Sequence, residues 1–346
     1  MYKYMKRQFL TGHEVVTQAC VDAGATYMFG YPITPGTEIL TDWINIAQHN
    51  IQLSYLQTED EIAAGFAVCG AIMAGEKTFT ATAGPGTVLM QDAMSMADGM
   101  RLPFVAIIAQ RGGPSSGTVI YSQQEVNLAI HGGNGEGMRI VFSPATLDEL
   151  YTFTRKAFNV AWRFRFPTVV LTDGFLLKTK QDVVFQFDGE NVETEALVSE
   201  KTQKNIRNIY TVEEKLYEAL QEHKKDFDIM ANTVTECELY NTDNADIIII
   251  AHGIVGAAAQ MAVDILRREG HTVGLFRPIT LSPFPEKELN KLAGKAKKFV
   301  VIESSMGQLR DLVKQALETP IDIDGLYKPA VGIFVEEIVE KIKEYN

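Results

Sequence analysis

Glu61 opens "EIAAGFAVCGAIMAG" (61–75), where almost every other residue is apolar or small. A carboxyl group at the mouth of such a helix would be desolvated and could exchange a proton with a bound ligand. Thr58-x-x-Glu61 also fits a capping box, and spacing alone favours that reading. Arg111 lies in "IIAQRGGPSSG" (107–117), where an apolar run ends. Ligands of open α/β sheets sit beyond the carboxyl ends of strands, and an arginine there can fork onto a carboxylate. A surface or inter-subunit salt bridge explains Arg111 equally well. "TATAGPGTVLMQDAM" (80–94) places Gly84-Pro85-Gly86 before a helix. Backbone N–H groups of such a turn can hold phosphate, but Pro85 removes one donor and no P-loop Lys-Ser/Thr follows, so a tight crossover fits too. "IHGGNGEGMRI" (130–140) offers His131, Asn134 and Glu136 on a glycine-dense loop, either a pocket wall or a plain connection.

The elements that must carry these residues follow one grammar. Apolar runs at Tyr27–Phe29, Leu53–Leu56, Thr78–Ala81, Phe104–Ala109, Ile140–Phe142 and Thr168–Leu171 read as strands. Helices fall between most of them, at Glu61–Gly75, Thr87–Met100 and Leu147–Phe164 among others. This alternation predicts an α/β fold with a parallel sheet covered on both faces. In "FGYPITPGTEIL" (29–40), Pro32 must end strand pairing, and Thr34-Pro35 reads as an N-cap with proline at the first helical position. A helix over Glu38–His49 would follow. The helix from Glu61 is apolar or small on every side and is expected to be buried all round.

From Gln181 the texture turns polar, without sustained periodicity. A second, smaller α/β unit follows, with a strand, glycine turn, helix, Gly270 stop and strand in "ADIIIIAHGIVGAAAQMAVDILRREGHTVGLFRP". The expected organisation is a domain over 1–180, a polar connection over 181–243 and a second domain over 244–346.

Composition narrows the functions. A net charge of −12 without a basic block argues against nucleic acid or an anionic membrane as partner. Cys20, Cys69 and Cys237 are far apart and form no Cys-x-x-Cys, which argues against a zinc or iron–sulfur site held by this chain alone. "MYKYMKRQFL" lacks the apolar core of a signal peptide, and apolar runs are strand-length, so a soluble cytoplasmic protein is expected.

Taken in order, these segments resemble the alpha subunit of the 2-oxoacid:ferredoxin oxidoreductases. The matching pieces are Gly30-Tyr31-Pro32-Ile33-Thr34-Pro35, Glu59-Asp60-Glu61-Ile62-Ala63-Ala64, Thr82-Ala83-Gly84-Pro85-Gly86, Gln110-Arg111-Gly112-Gly113-Pro114-Ser115-Ser116-Gly117 and Ala157-Phe158-Asn159-Val160-Ala161. The match continues at Ser282-Pro283-Phe284-Pro285, Val301-Ile302-Glu303 and Gly307-Gln308. Each motif is modest alone; their order makes the match specific, and it covers nearly everything but the polar connection.

The resemblance implies a pyrimidine-binding domain for thiamine diphosphate followed by a transketolase C-terminal-like domain. It implies coenzyme A-dependent oxidative decarboxylation of a 2-oxoacid to an acyl-CoA, with electrons passed to ferredoxin. Pyruvate, 2-oxoglutarate and branched-chain acids remain open. Glu61 would contact N1′ of the cofactor's aminopyrimidine, Arg111 would hold the substrate carboxylate, and Thr34 would be a neutral donor. Pro32, Ile33 and Gly84 would line the cofactor. No Gly-Asp-Gly with a following asparagine is present for Mg²⁺ and diphosphate, and no cluster cysteines occur. The site would therefore be shared with a beta subunit, with Mg²⁺ and [4Fe-4S] in partner subunits and with gamma and ferredoxin-like delta subunits as further candidates. Two positions depart from the family pattern: Asn134 stands where a histidine is usual, and Ser304-Ser305 follows Glu303. A non-redox thiamine enzyme subunit and a non-catalytic assembly scaffold are the rival readings.

Overall fold

The computed structural model describes residues 7–186, 189–199, 202–203 and 206–345. Most of the N-terminal stretch read above for targeting, and six positions of the polar connection, lie outside the described residues.

The strands of the first half form because they are short, apolar and closed by glycine, proline or threonine. Three of them, Thr78–Thr82, Val105–Gln110 and Thr168–Asp173, are buried at every residue. Such continuous burial marks central strands of a parallel sheet covered on both faces. The order across the sheet is Ser54–Gln57, Tyr27–Gly30, Thr78–Thr82, Val105–Gln110, Thr168–Asp173, Ile140–Phe142 and Thr280–Ser282. The first six run parallel and the last is antiparallel. One side of the core is built around Trp43, Phe79 and Phe158, with Trp43 and Phe79 edge to face at 5.0 Å between ring centroids.

The second unit carries a sheet in the order Cys237–Tyr240, Val273–Pro278, Ile247–Ile250, Lys298–Glu303, Asp322–Tyr327, parallel except for its first strand. The α/β architecture expected from the sequence is the one observed. The two units are stitched together, because Thr280–Ser282 leaves the second and pairs with Ile140–Phe142 of the first. Arg277, 5% exposed, lies across the same boundary, with Glu149 and Glu238 accepting from its guanidinium.

Several local expectations change. The helix after Gly30 spans Thr37–Ala47, with Gly36 at its N-cap and no side-chain cap. A turn closed by Gly36 N–H on Ile33 O (2.8 Å) takes up the residues before it, so Pro35 is not the first helical residue. The helical stretch after Gly84 is two helices, Pro85–Leu89 and Gln91–Met100, meeting at Met90. The region from 181 to 243 contains a long helix, Glu213–Val234.

The helix Glu61–Met73 is not buried all round: Ile62 is 38% and Phe66 37% exposed. Its other side packs closely, since a Cβ on Gly65 would stand 2.6 Å from that of Ala93. The exposed stripe is apolar, which a lone chain has no reason to present to water.

Candidate functional site

In the seven-stranded sheet the connection leaving Tyr27–Gly30 goes to one side and that leaving Thr78–Thr82 to the other. The crevice between those strand ends is the topological switch point, where open α/β sheets bind ligands. Two of the sequence candidates flank it directly: the Tyr31–Pro35 loop and the Gly84-Pro85-Gly86 turn. Arg111 follows the next strand, Val105–Gln110.

Glu61 is the first residue of its helix and is 4% exposed. The capping-box reading does not hold. Asp60 is the N-cap, its Oδ1 accepting from Ala63 N–H at 2.7 Å, and the Thr58 hydroxyl donates to Asp60 O at 2.8 Å. Capping is thus done by the neighbouring aspartate, and Glu61 is left free of it. Its Oε1 is buried without a hydrogen-bond partner. Burial holds the Glu61 pKa above the usual carboxylate range, with Asp60 adding to the rise and Arg111 opposing it. The carboxyl packs against Gly86, where any Cβ would collide with Glu61 Oε1 and Thr82 Oγ1.

Arg111 is 7% exposed and is not a surface residue. Its Nη1 donates to Thr34 O at 2.8 Å, while its Nε is buried without a partner. The side chain lies across Gly84, where an added Cβ would stand 2.7 Å from Nε. Gly84 has φ +52°, a conformation glycine adopts with least strain. Thr34, Pro32 and Ile33 are half-buried, and Ile33 also packs on the core. The structure therefore gathers Glu61, Thr34, Gly84 and Arg111 at one sheet edge, with Pro32 and Ile33 on the flanking loop.

Two buried polar atoms without partners, Glu61 Oε1 and Arg111 Nε, lie against the glycines of this sheet edge. This suits a ligand with a proton-accepting ring nitrogen and a carboxylate. The residues present fit the aminopyrimidine side of thiamine diphosphate and the carboxylate of a 2-oxoacid. His131, Asn134 and Glu136 are elsewhere. Their loop packs along the Gln91–Met100 helix, and Asn134 and Glu136 line a separate cavity of about 430 Å³ with Asp98 and His223.

Sequence reading missed Glu125. It is 5% exposed, and its Oε1 accepts from the backbone N–H of both Gly84 and Arg111, each at 2.9 Å. Burial raises its pKa. In the sequence it looks like an ordinary acid at the start of a short helix; its partners lie 41 and 14 residues away.

Residues 18–242 match the family model described as pyruvate flavodoxin/ferredoxin oxidoreductase, thiamine diphosphate-binding. Residues 245–331 match the model for core domain II of pyruvate:ferredoxin oxidoreductase. The chain is 33% identical to ketoisovalerate oxidoreductase subunit VorB of Methanothermobacter thermautotrophicus, over 98% of each chain. It is 31% identical to 2-oxoglutarate synthase subunit KorA of Methanocaldococcus jannaschii, covering 88% of this chain and 90% of that one. Among solved structures it is similar to 2-oxoglutarate:ferredoxin oxidoreductase from Magnetococcus marinus with 2-oxoglutarate, coenzyme A and succinyl-CoA bound. That match has a TM-score of 0.87 and 26% identity, covers 98% of this chain and spans 65% of that longer one.

Proposed function

The chain belongs to the pyruvate flavodoxin/ferredoxin oxidoreductase family of 2-oxoacid oxidoreductases and carries its thiamine-diphosphate-binding domain, and from that premise we propose that Glu61, Arg111 and Thr34 form one half of a thiamine site completed by a separate beta subunit. The observation that carries this reading is the buried Glu61 carboxyl, relieved of capping and with Oε1 unpartnered at the switch point.

Thiamine diphosphate supplies a carbon nucleophile and an electron sink for 2-oxoacid decarboxylation. The chain's own residues have simpler tasks. Glu61 holds a proton at its carboxyl and shares it with the pyrimidine N1′; its raised pKa keeps that proton available nearer neutral pH. Gly86 lets the carboxyl approach, and Gly84, Pro32 and Ile33 form the walls. Arg111 Nε is free to donate to the substrate carboxylate while Nη1 stays on Thr34 O. Thr34 adds a neutral donor beside it. The substrate is a 2-oxoacid and the acyl acceptor coenzyme A, the ligand classes named for the Magnetococcus marinus protein.

Exposed apolar side chains surround this half-site: Tyr31, Leu56, Ile62, Phe66, Val88 and Leu89. They support a partner chain seated over the cleft, bringing Mg²⁺, the diphosphate grip and the iron–sulfur clusters that pass electrons to ferredoxin. Gamma and delta subunits and a cytoplasmic location belong to the same proposal. Among the described residues no helix is long and apolar enough to cross a membrane.

Glu61→Gln tests the central assignment. Because Asp60 does the capping, the variant should fold and assemble with a near-normal melting temperature. Hydrogen–deuterium exchange at C2 of bound thiamine diphosphate, and turnover, should fall by about 10²-fold or more, the usual scale for losing an acid–base group. Near-wild-type exchange in a loaded variant would falsify the role of Glu61.

A further inference from the structure

The strands Thr78–Thr82 and Val105–Gln110 are paired in register as far as Thr82 and Ile108. Beyond that point no ladder joins them, yet the residues proposed to face the ligand, Gly84 and Arg111, lie there. Both backbone N–H groups instead meet a single atom, Glu125 Oε1, at 2.9 Å each. Charge-assisted bonds of this kind are the stronger class and fix geometry as well as adding energy. The Arg111 side chain then runs back over Gly84 to Thr34 O, so one carboxylate oxygen ties together the loops that follow three strands.

The residues flanking Glu125 are held from the second unit. Gln123 N–H donates to Ser304 O and Gln123 Oε1 accepts from Ser304 N–H, both at 3.0 Å, while Gln123 Nε2 donates to His252 O at 2.9 Å. Gln308 Nε2 donates to Gln124 O at 2.8 Å, and Gln308 Oε1 accepts from Asn127 N–H at 2.9 Å. The residues on both sides of Glu125 are thus pinned to the second sheet's edge and the helix that follows it. The Glu125 backbone itself makes a longer bond to the first sheet, its N–H to Gln110 Oε1 at 3.3 Å.

We propose that Glu125 is a positioning residue for 2-oxoacid recognition: braced by the second unit, it clamps the backbone of Gly84 and Arg111 and so sets where the Arg111 guanidinium stands. This rests on the reading of Arg111 as the carboxylate-binding group. The clamp works through accepted N–H bonds, so a glutamine, whose amide oxygen also accepts two, should replace it. An alanine should not.

The experiment uses the assembled complex with Glu125→Ala and Glu125→Gln. Amide hydrogen exchange is followed on peptides containing Gly84 and Arg111, alongside KM, kcat and melting temperature. Glu125→Ala should speed exchange at both amides by about tenfold or more, the scale of one lost charged hydrogen bond. It should raise KM for the 2-oxoacid by about tenfold while kcat changes less, as expected where binding of the substrate carboxylate is weakened. Glu125→Gln should recover most of both. Should the alanine variant fail to fold, Gln123→Ala, which removes the two side-chain bonds of the brace and touches no ligand, should move exchange and KM in the same direction. The proposal is overturned if the folded alanine variant keeps both amides protected with KM unmoved. It is equally overturned if glutamine is as damaging as alanine, since charge rather than the clamp would then be required. A wild-type complex inactive on every 2-oxoacid would instead refute the functional reading, and the exchange pattern would still decide the clamp.

Discussion

Arg111 and Glu61 illustrate how burial leaves ordinary side chains with unmet hydrogen-bonding capacity. A guanidinium at 7% exposure that rests on a carbonyl and a glycine has given up water without gaining a bidentate partner. A substrate carboxylate would supply that partner. Arg111→Ala should therefore lower kcat/KM by about 10²-fold or more, with cofactor occupancy and fold retained; steady-state kinetics beside a melting curve check this, and an unchanged value would remove Arg111 from the site. His252 shows the same physics without a ligand. It is fully buried, its Nδ1 is 2.8 Å from Ser143 Oγ, and burial pushes its pKa down to about 3. Its folded value lies below the unfolded one of 6.5, so the unfolded chain binds the extra proton. Its contribution is present above about pH 6.5 and is lost as pH falls toward 3, with about 2 kcal/mol gone by pH 5. His252→Asn should flatten that acid limb in denaturation midpoints measured from pH 7 to 5; an unaltered slope would show that His252 does not set it. Some slope should remain, because His131 and His223 are shifted down as well. At this scale Glu61, Arg111 and Thr34 were legible because each sits where a strand ends or a helix begins. Glu125 was not, because its role consists of bonds to residues distant in sequence.

Strands were easier to read than helix ends for a physical reason. A central parallel strand is apolar on both faces, so Ile140–Phe142 and Thr168–Asp173 announce themselves as runs. A helix end depends on which side chain reaches which N–H, and Thr58, Asp60 and Glu61 all offer a plausible oxygen; only the fold shows Asp60 taking the role. The helix Glu213–Val234 escaped notice because only Met230 and Val234 are buried, too few to write a period into the sequence. Gly86 belongs to this scale, since it joins a buried strand to a short helix under Glu61. Gly86→Ala should force the carboxyl or the turn to move, costing about 1–3 kcal/mol by overpacking. It should also weaken thiamine diphosphate binding in the complex by about tenfold or more, because the displaced carboxyl can no longer meet N1′. Calorimetric titration beside a melting curve measures both; full affinity with normal stability would mean the cradle is dispensable.

As a whole molecule, the chain's two large sheets cannot act as independent bodies. The strand Thr280–Ser282, the Arg277–Glu149 pair and the Gln123–Ser304 bonds all cross between them. The second unit therefore helps to hold the residues beside the candidate site on the first. That candidate site is nonetheless one-sided. It presents an acid, an arginine and glycines, and around them Ile62, Phe66, Val88 and Leu89 remain exposed. The sequence shows no diphosphate motif and no clustered cysteines. Thiamine diphosphate carries most of its binding charge on the diphosphate and its Mg²⁺, which the proposed half-site would leave to its partner. The purified chain supplied with cofactor, Mg²⁺, coenzyme A, a 2-oxoacid and a viologen acceptor should accordingly show no reduction of the dye, and should bind thiamine diphosphate weakly. Adding the beta subunit should restore both together, and should protect the Glu61–Met73 helix from hydrogen exchange as its apolar stripe is covered. Dye reduction by the single chain would contradict the half-site. Activity restored without new protection along Ile62 and Phe66 would place the partner on a different face.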